Sequence, residues 1–311
     1  MSKHVVVAGA SGFLGTHLTA ALTDRGHRVT RLVRRPASGP QESTWDPYAG
    51  VYDRDLVTGS DVVVNLAGAP LIGNVHSSTW AREVRESRVV TTQVLARAVA
   101  DAHGEGSGGG SAGPAFLAGS GISWYGDHGS TELTESADSR GDALLTSVAR
   151  DWEEAADPAR EAGARVCHLR TAPVMDKRSA PLKQLSLLFS LGLGGRLGSG
   201  RQHMAMISLR DWLGAVVHLA EHDTAAGAFN LCCVDTPTNA EFTSALAGAL
   251  SRPSFATVPS PLLKVAAGPM SDELLGSLNV LPTALADSGF EHADRDVHDV
   301  VAAGLARKDL R

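Results

Sequence analysis

The chain has 311 residues, with 28 lysines and arginines against 34 aspartates and glutamates, and a formal net charge of -6. Hydrophobic residues make up 43% of the chain and charged residues 20%, which excludes a disordered protein, and the acidic balance excludes a nucleic-acid-binding surface. No apolar stretch reaches about 18 residues, so we expect no membrane span. The only cysteines are Cys167, Cys232 and Cys233, too few for a disulfide framework, so we expect a cytoplasmic protein.

Apolar strands and amphipathic helices alternate over the first 175 residues. The pattern predicts strands at His4–Ala8, Val29–Val33, Asp61–Leu66, Ala115–Ala118 and Arg165–Leu169, and helices at Phe13–Arg25, Arg88–His103 and Ala143–Ala162. This alternation predicts an α/β fold, a Rossmann-type doubly wound parallel sheet with helices on both faces. The glycine-rich segment 104–113 predicts a flexible surface loop, with a domain boundary as the alternative.

The pattern changes after Val174. It predicts helices over Leu185–Leu193 and Ser208–Glu221, and a strand at Ala228–Leu231 that returns to the sheet. From Asn239 onward the chain is predicted to be mainly helical. We therefore divide it into a Rossmann domain, residues 1–175 plus roughly 208–233, and a smaller, mainly helical C-terminal lobe, residues 176–207 and 234–311, on the substrate side.

The first strand–helix junction carries a glycine motif, Gly9-Ala10-Ser11-Gly12-Phe13-Leu14-Gly15. Gly9 permits a tight turn, Gly12 lets a pyrophosphate approach the helix N-terminus, and Gly15 lets the helix pack on the strand. Between a first strand and a first helix, this motif predicts a dinucleotide-binding turn. A glycine-rich turn without a ligand is the alternative.

The end of the second strand distinguishes between the two nicotinamide dinucleotides. An NAD site usually places Asp or Glu there, bound to the ribose 2′-hydroxyl, whereas this chain has Arg34 and Arg35. Because a guanidinium can pair with a 2′-phosphate and stack on adenine, we predict NADP(H), bound chiefly by Arg34. A solvated basic loop is the alternative. At the end of a later strand, the small residues of Asn65-Leu66-Ala67-Gly68 would let backbone lie against the adenosine and ribose.

The sequence resembles the extended, epimerase-like type of the short-chain dehydrogenase/reductase superfamily. The glycine motif, Asn65–Gly68 and Trp124-Tyr125-Gly126-Asp127 carry this resemblance. The chain is more closely similar to an atypical group of epimerase-family proteins with a small C-terminal domain of unknown function. The segments shared with that group are Glu86–Thr92, Leu191–Gln202, Val280–Pro282 and Ser288–Phe290. The resemblance covers nearly the whole chain and implies an NADP(H)-dependent oxidoreductase or epimerase-like protein.

The catalytic pair of that superfamily, Tyr-x-x-x-Lys, is absent. In the superfamily the tyrosinate is the acid/base, and the lysine lowers its pKa and holds the nicotinamide ribose. Here no lysine lies between Lys3 and Lys177, and no tyrosine lies beyond Tyr125. The resemblance places Leu145 and Ala149 at the expected positions, and neither side chain can move a proton.

Ser120, Tyr125 and Arg88 are the candidate catalytic residues. The resemblance implies a serine at Ser120 or Ser123, and we favour Ser120 because it follows the strand whose carboxyl end faces the ligand crevice. Arg88 stands where the family pattern has asparagine, and we predict that it lowers the pKa of Tyr125. The alternatives are a structural role for Tyr125 and a salt-bridged Arg88.

Three further residues are weaker candidates. His76 and His128 lie on loops that leave strand ends, where either could serve as a general acid. Arg201 follows a glycine-rich run and could hold an anionic group of a small-molecule substrate. Cys232 and Cys233 point to opposite faces of a strand, and no metal-ligand spacing occurs, so we expect no metal.

Two functions are consistent with these features. The first is an NADP(H)-dependent oxidoreductase or epimerase-like enzyme with a non-standard proton donor. The alternative is a catalytically inactive NADP(H)-binding sensor or scaffold, which the missing tyrosine and lysine favour. We expect a small-molecule substrate and neither nucleic acid nor membrane as a partner, and a homo-oligomer is compatible with the sequence.

Overall fold

The structure is a computed structural model that describes residues 1–71, 73–106, 113–254 and 256–306. Its strands are β1 His4–Ala8, β2 Arg28–Val33, β3 Glu42–Thr44, β4 Val62–Asn65, β5 Ala115–Gly121, β6 Glu132–Leu133, β7 Val166–Thr171, β8 Val174–Met175, β9 Gly195–Leu197, β10 Ile207–Ser208, β11 Gly227–Leu231, β12 Ala256–Val258 and β13 Asn279–Val280. Its α-helices are α1 Phe13–Asp24, α2 Arg54–Thr58, α3 Ser78–Gly106, α4 Leu144–Glu154, α5 Asp157–Glu161, α6 Ala180–Ser190, α7 Leu209–Glu221, α8 Asn239–Ala249, α9 Ser260–Ala267, α10 Ser271–Leu275, α11 Thr283–Asp287 and α12 Val297–Leu305.

Seven parallel strands form the central sheet, in the order β11-β7-β5-β4-β1-β2-β3. Strand β1 pairs with β2 on one side and with β4 on the other, so the chain reverses its direction of travel across the sheet at β1. In open parallel sheets a ligand crevice forms at this reversal, outside the carboxyl ends of the strands. The predicted Rossmann-type doubly wound sheet is therefore confirmed, and the reversal locates its crevice.

Each face of the sheet carries its own apolar core, because successive strand residues point to opposite sides. The core under α1 and α7 includes Val5, Val7, Leu18, Leu22, Trp212 and Val216. The core under α3 and α5 includes Val6, Ala8, Leu95, Val99, Phe116 and Ala159. Burying one such aliphatic side chain stabilises the fold by about 1.5–3 kcal/mol, so both helical layers are firmly held against the sheet.

The C-terminal lobe has a separate core between α6, α8 and α12. Two short parallel strand pairs tie this part of the chain to preceding segments: β12 pairs with β9, and β13 pairs with β6. A further small apolar cluster joins Met270 of the lobe to Trp80, Val84, Leu145 and Val148 on α3 and α4. The lobe therefore packs over the first turns of both helices, at the crevice end of the sheet.

Several predicted element boundaries are wrong. Helix α3 begins at Ser78, ten residues before the predicted start, where the Ser77 hydroxyl accepts a hydrogen bond from the backbone N–H of Trp80 at 3.3 Å. The predicted helix over 143–162 is two helices, α4 and α5, and Pro158 lies in the first turn of the second, where its missing N–H is tolerated. Of the glycine-rich segment 104–113, residues 104–106 end α3, and residues 107–112 lie outside the described residues.

Candidate functional site

The glycine turn between β1 and α1 is built so tightly that side chains would not fit at two of its positions. Gly9 has a φ of +77°, and a Cβ there would lie 2.5 Å from the carbonyl carbon of Leu66. A Cβ on Gly15 would lie 2.2 Å from the carbonyl oxygen of Gly9. Gly12 is the N-cap of α1 and provides no side-chain cap, so the first N–H groups of the helix remain available to a phosphate.

The two arginines after β2 have different environments. Arg35 forms a paired contact with Glu42, with Nη1 and Nη2 each 2.8 Å from a carboxylate oxygen, and this pairing holds the pKa of Glu42 well below its usual range. Arg31 also reaches Glu42, at 3.2 Å. Arg34 is exposed, and in the described part of the chain its guanidinium has neither a hydrogen-bond nor an ion-pair partner. Of the two predicted cofactor ligands, Arg34 is therefore the one left available.

The segment after β4 owes its shape to Asn65. Its side chain is fully buried; Oδ1 accepts from the backbone N–H of Ala67 at 3.0 Å, and Nδ2 donates to the hydroxyl of Thr92 at 2.8 Å. The predicted cofactor contact of Asn65 is therefore not a side-chain contact in this arrangement. Asn65 instead fixes the backbone of Leu66 to Gly68, which faces the glycine turn.

Ser120 belongs to a buried polar network at the carboxyl ends of β5 and β7. Its hydroxyl donates to Oε1 of Glu153 at 2.7 Å. Both oxygens of Glu153 bind Arg170, at 2.8 and 2.9 Å, and the Arg170 guanidinium lies 3.6 Å from the ring centroid of Trp124. Ser120 lies at the predicted strand end, but the residue is only 4% exposed and its hydroxyl is already bonded within this network.

Tyr125 continues the same network and is completely buried. Its hydroxyl donates to Oδ1 of Asn230 at 2.7 Å and accepts from Nη1 of Arg170 at 2.9 Å. Burial raises the pKa of Tyr125 to about 12 despite the neighbouring Arg170 cation. The prediction that Arg88 lowers this pKa is wrong, because the arginine beside Tyr125 is Arg170 and desolvation outweighs its charge. The geometry supports the structural alternative for Tyr125.

Arg88 lies between the segment after β4 and helix α4. Its Nη1 donates to the backbone carbonyls of Ala69 at 3.2 Å and Val84 at 3.0 Å, and its guanidinium lies 5.2 Å from the ring centroid of Trp152. Burial lowers the pKa of Arg88 to about 10. The salt-bridge alternative finds no support, since no carboxylate of the described residues lies within ion-pair distance of this side chain.

Sequence reasoning missed Glu273, a carboxyl group that the C-terminal lobe places at the N-terminus of α4. Its Oε1 accepts from the backbone N–H of Leu145 at 3.0 Å, and the Ser123 side chain lies near its carboxylate. Burial raises the pKa of Glu273. No signal in the sequence pointed to this contact, because its two partners are 128 residues apart. Leu145 is the position that the resemblance to the superfamily implies for its tyrosine.

The remaining candidates make no side-chain contact with these groups. His128 bonds through Nε2 to the carbonyl oxygen of Tyr125 at 3.1 Å, His76 lies against Gly268, and Arg201 is exposed beyond β9. All three cysteines are buried and unbridged. Within the described ranges, no three His, Cys, Asp or Glu side chains are grouped to hold a metal ion, and none of the helices there is long and apolar enough to cross a membrane.

The described contacts divide the crevice into two sides. We call residues 9–15 and 34 the β1–β2 side, and residues 65–69, 88, 120–125, 153 and 170 the β4–β5 side. The backbone of Gly9 and that of Leu66 approach each other where the two sides meet.

Comparison with known proteins places this arrangement in a family. Residues 5–232 match the model of the NAD dependent epimerase/dehydratase family, and residues 258–303 match a domain of unknown function, DUF1731. The chain is 37% identical over 305 residues to the epimerase family protein Mb2239 of Mycobacterium bovis, covering 97% of this chain and 98% of that protein.

Solved structures agree with this assignment. The crystal structure of human epimerase family protein SDR39U1 with NADPH superposes with a TM-score of 0.82 at 28% identity, covering 97% of this chain and 98% of that one. A nucleoside-diphosphate sugar epimerase from Corynebacterium glutamicum superposes with a TM-score of 0.76 at 30% identity, covering 98% of this chain but 58% of that one. The chain thus belongs to the NAD dependent epimerase/dehydratase family.

Proposed function

We propose that this protein is an NADP(H)-dependent oxidoreductase or epimerase-like enzyme that works without the Tyr-x-x-x-Lys pair. The observation that carries the proposal is Arg34, an exposed guanidinium at the end of β2 that is left without a partner by the described residues. A 2′-phosphate is the anion that distinguishes NADP(H) from NAD(H), and a guanidinium binds phosphate in a two-point contact. The crystallisation of human SDR39U1 with NADPH supports the same choice here.

The residues of the β1–β2 side fit such a cofactor. The backbone around Gly12 would receive the diphosphate at the uncapped N-terminus of α1, and Arg34 would receive the 2′-phosphate. Glu42, the carboxylate bound by Arg35, is already neutralised and does not compete for Arg34. When bound, the cofactor supplies hydride transfer, and the protein contributes binding, orientation and a proton.

The proton that accompanies hydride transfer must be donated or accepted by a group other than a tyrosine. We favour Glu273 with Ser123, because these two side chains meet beside Leu145, the position of the superfamily tyrosine. A carboxyl group whose pKa is raised by burial holds a proton closer to neutral pH than an exposed one, which suits a general acid. The buried Ser120 and Tyr125 would then support the crevice rather than act in it.

The substrate in this proposal is a small molecule, with Arg201 available to an anionic group from its exposed position after β9. Neither nucleic acid nor a membrane is a proposed partner, consistent with the net charge of -6. We place the protein in the cytoplasm, which the three buried, unbridged cysteines support.

A specific observation favours a second candidate, a catalytically inactive NADP(H)-binding sensor or scaffold. Tyr125, the tyrosine nearest in sequence to the expected site, is buried and doubly hydrogen-bonded, so no tyrosine is offered for catalysis there. In that case the cofactor would bind without turnover, and its redox state would alter the affinity for a partner.

Thermal unfolding with NADPH, NADP⁺ and NADH tests the cofactor first. A ligand that binds only the folded protein stabilises it by about 2.7 kcal/mol at one hundred times its Kd, so we expect a higher Tm with NADPH than with NADH. A carbonyl-compound screen that follows NADPH absorbance then separates the two candidates. Consumption of NADPH identifies the enzyme; an NADPH-selective rise in Tm without consumption by any carbonyl compound favours the sensor, and no rise with any nucleotide refutes both.

A further inference from the structure

Arg88 is a partly buried cation whose charge no carboxylate among the described residues neutralises. Arg170, the buried guanidinium at the carboxyl ends of the sheet, is paired through two contacts with Glu153. Arg88 has two backbone carbonyls as hydrogen-bond acceptors, both through Nη1. Its Nε and Nη2 make no hydrogen bond to the described residues, nor does any carboxylate among them approach it. Partial removal of a cation from water without a counter-charge is unfavourable, so this site favours an additional anionic or polar partner.

The side chain is held in one place by its packing. A Cβ on Gly68 would lie 3.3 Å from Cγ and Cζ of Arg88, so the absence of a side chain at Gly68 is what lets the guanidinium lie against the loop. On its other side the guanidinium lies near the ring of Trp152, whose indole N–H donates to Thr92 at 2.8 Å. A long, flexible side chain fixed in this way loses little further freedom on binding a ligand, which favours affinity.

The topology indicates which part of a dinucleotide would reach this guanidinium. Arg34 marks the end of β2, where the adenosine 2′-phosphate would bind, and the sheet order then runs β2-β1-β4-β5. A dinucleotide that crosses the crevice from β2 over the glycine turn therefore extends its second half over β4 and β5. Gly68 and Arg88 lie on this side, and the backbone contact of Gly9 with Leu66 joins it directly to the glycine turn.

We propose that Arg88 binds the nicotinamide-nucleotide half of NADP(H), donating hydrogen bonds from its free nitrogens to the phosphate or ribose oxygens of that half. The role assigned to the lysine of the superfamily pair, holding the nicotinamide ribose, is thus transferred to a different helix, α3. The inference rests on the proposed function, because it requires that the protein binds NADP(H). It concerns binding, so it holds for the enzyme and for the sensor alike.

The test compares two ligands that share the adenosine half but differ in the nicotinamide half. Isothermal titration calorimetry is carried out with NADPH and with adenosine 2′,5′-bisphosphate, on the wild-type protein and on Arg88→Met. We expect Arg88→Met to bind NADPH about 10- to 100-fold more weakly, the loss typical of charged hydrogen bonds, and to bind the bisphosphate within about twofold of the wild type.

Two further variants separate a loss of ligand contact from a general disturbance of α3. Arg85→Met is the matched control, because Arg85 lies one turn earlier on α3, is exposed, and pairs with the partly buried Asp151 at 2.7 Å; it should leave both affinities unchanged. Arg88→Lys keeps the positive charge with fewer donors, so it should fold even where Arg88→Met does not. We expect it to weaken NADPH binding by a smaller factor and to spare the bisphosphate.

The outcomes separate this inference from the proposed function. Suppose that the wild-type protein binds both ligands and that the Arg88 variants lose affinity for both equally or for neither. Arg88 is then a structural residue and the inference is wrong, whereas the proposal that the protein binds NADP(H) is retained. If the wild-type protein binds neither ligand, the proposed function fails and the inference fails with it. If Arg88→Met loses affinity for NADPH alone, and Arg85→Met does not, the result supports both the inference and the proposed function.

Discussion

The two sides of the crevice differ in whether their polar groups have partners within the described protein. On the β1–β2 side, the N-terminus of α1 is uncapped and the guanidinium of Arg34 has no partner among the described residues. On the β4–β5 side, Ser120, Glu153, Arg170 and Tyr125 bind one another in a buried network. The first side is prepared for a ligand, and the second is largely satisfied by the protein itself. A single crevice can thus leave one side open to a ligand while the other side is filled by hydrogen bonds and ion pairs within the protein.

The largest effect should come from breaking the network on the β4–β5 side. Arg170→Met leaves Glu153 buried and without its cation, which typically lowers the free energy of unfolding by about 3–5 kcal/mol. Urea denaturation measures this loss. Arg150→Met is the control, because Arg150 pairs with the highly exposed Asp142 and should cost about 0–1 kcal/mol. Equal losses in the two variants would show that the network does not hold this side together.

Substitutions on the β1–β2 side should change the affinity for the cofactor rather than the free energy of unfolding. Arg34→Ala removes the proposed 2′-phosphate ligand, so we expect about 10- to 100-fold weaker binding of NADPH and unchanged binding of NADH in calorimetric titrations. Arg35→Ala is the matched control: Arg35 is occupied by Glu42, and its loss should change NADPH affinity little. An unaltered preference for NADPH in Arg34→Ala would contradict our assignment of the cofactor.

Tyr125 tests whether the network is structural. Tyr125→Phe leaves Asn230 without its hydroxyl donor, so it should lower the free energy of unfolding by about 1–3 kcal/mol without changing NADPH affinity. The pKa of Tyr125 rises from 10.0 to about 12 on folding, so its stabilising contribution is complete below pH 10 and is lost between pH 10 and 12. Urea denaturation across this range should show a steeper decline for the wild type than for the variant. Parallel declines would contradict a buried, protonated tyrosine.

The smallest effect is expected at Glu273, where the C-terminal lobe meets α4. Its pKa lies above the ordinary 4.5 in the folded protein, so the folded state binds the proton more tightly and stability falls as pH rises through that pKa. Glu273→Gln imitates the protonated form and should therefore equal or slightly exceed the wild type in stability at neutral pH, with a flatter pH profile in urea denaturation. A lower stability at neutral pH would mean that the carboxylate form is the one favoured by the fold. The control is Asp272→Asn, which changes the exposed neighbouring carboxylate.

Much of the fold was predictable because it depends on local pattern. Alternating apolar strands and amphipathic helices indicated the parallel sheet, and the glycine motif lies at the junction where it was expected. Helix ends were less predictable. The start of α3 at Ser78 and the break before Pro158 depend on single hydrogen bonds and on packing of Trp80, which periodicity does not report.

The sequence predicted which residue types lie at the candidate site, but it predicted few of the contacts that these residues make. Ser120, Tyr125 and Arg88 were chosen because they could carry protons or charge, but their partners decide what they do. Tyr125 is bonded to Asn230, 105 positions away, and to Arg170, 45 positions away. Glu273, which the sequence did not indicate, reaches the site from 128 positions away.

The amino-acid sequence by itself determined what chemistry is missing and what cofactor turn is present. Residue identity alone excludes a Tyr-x-x-x-Lys pair at Leu145 and Ala149, and only glycine permits the turn at Gly9. The tertiary structure decided which charged groups are left available: among the residues it describes, Glu42 pairs with Arg35 and not with Arg34, and Glu153 pairs with Arg170 while no carboxylate pairs with Arg88. The physical reason is that a charge is neutralised by whichever group the fold brings within a few ångströms, irrespective of its distance along the chain.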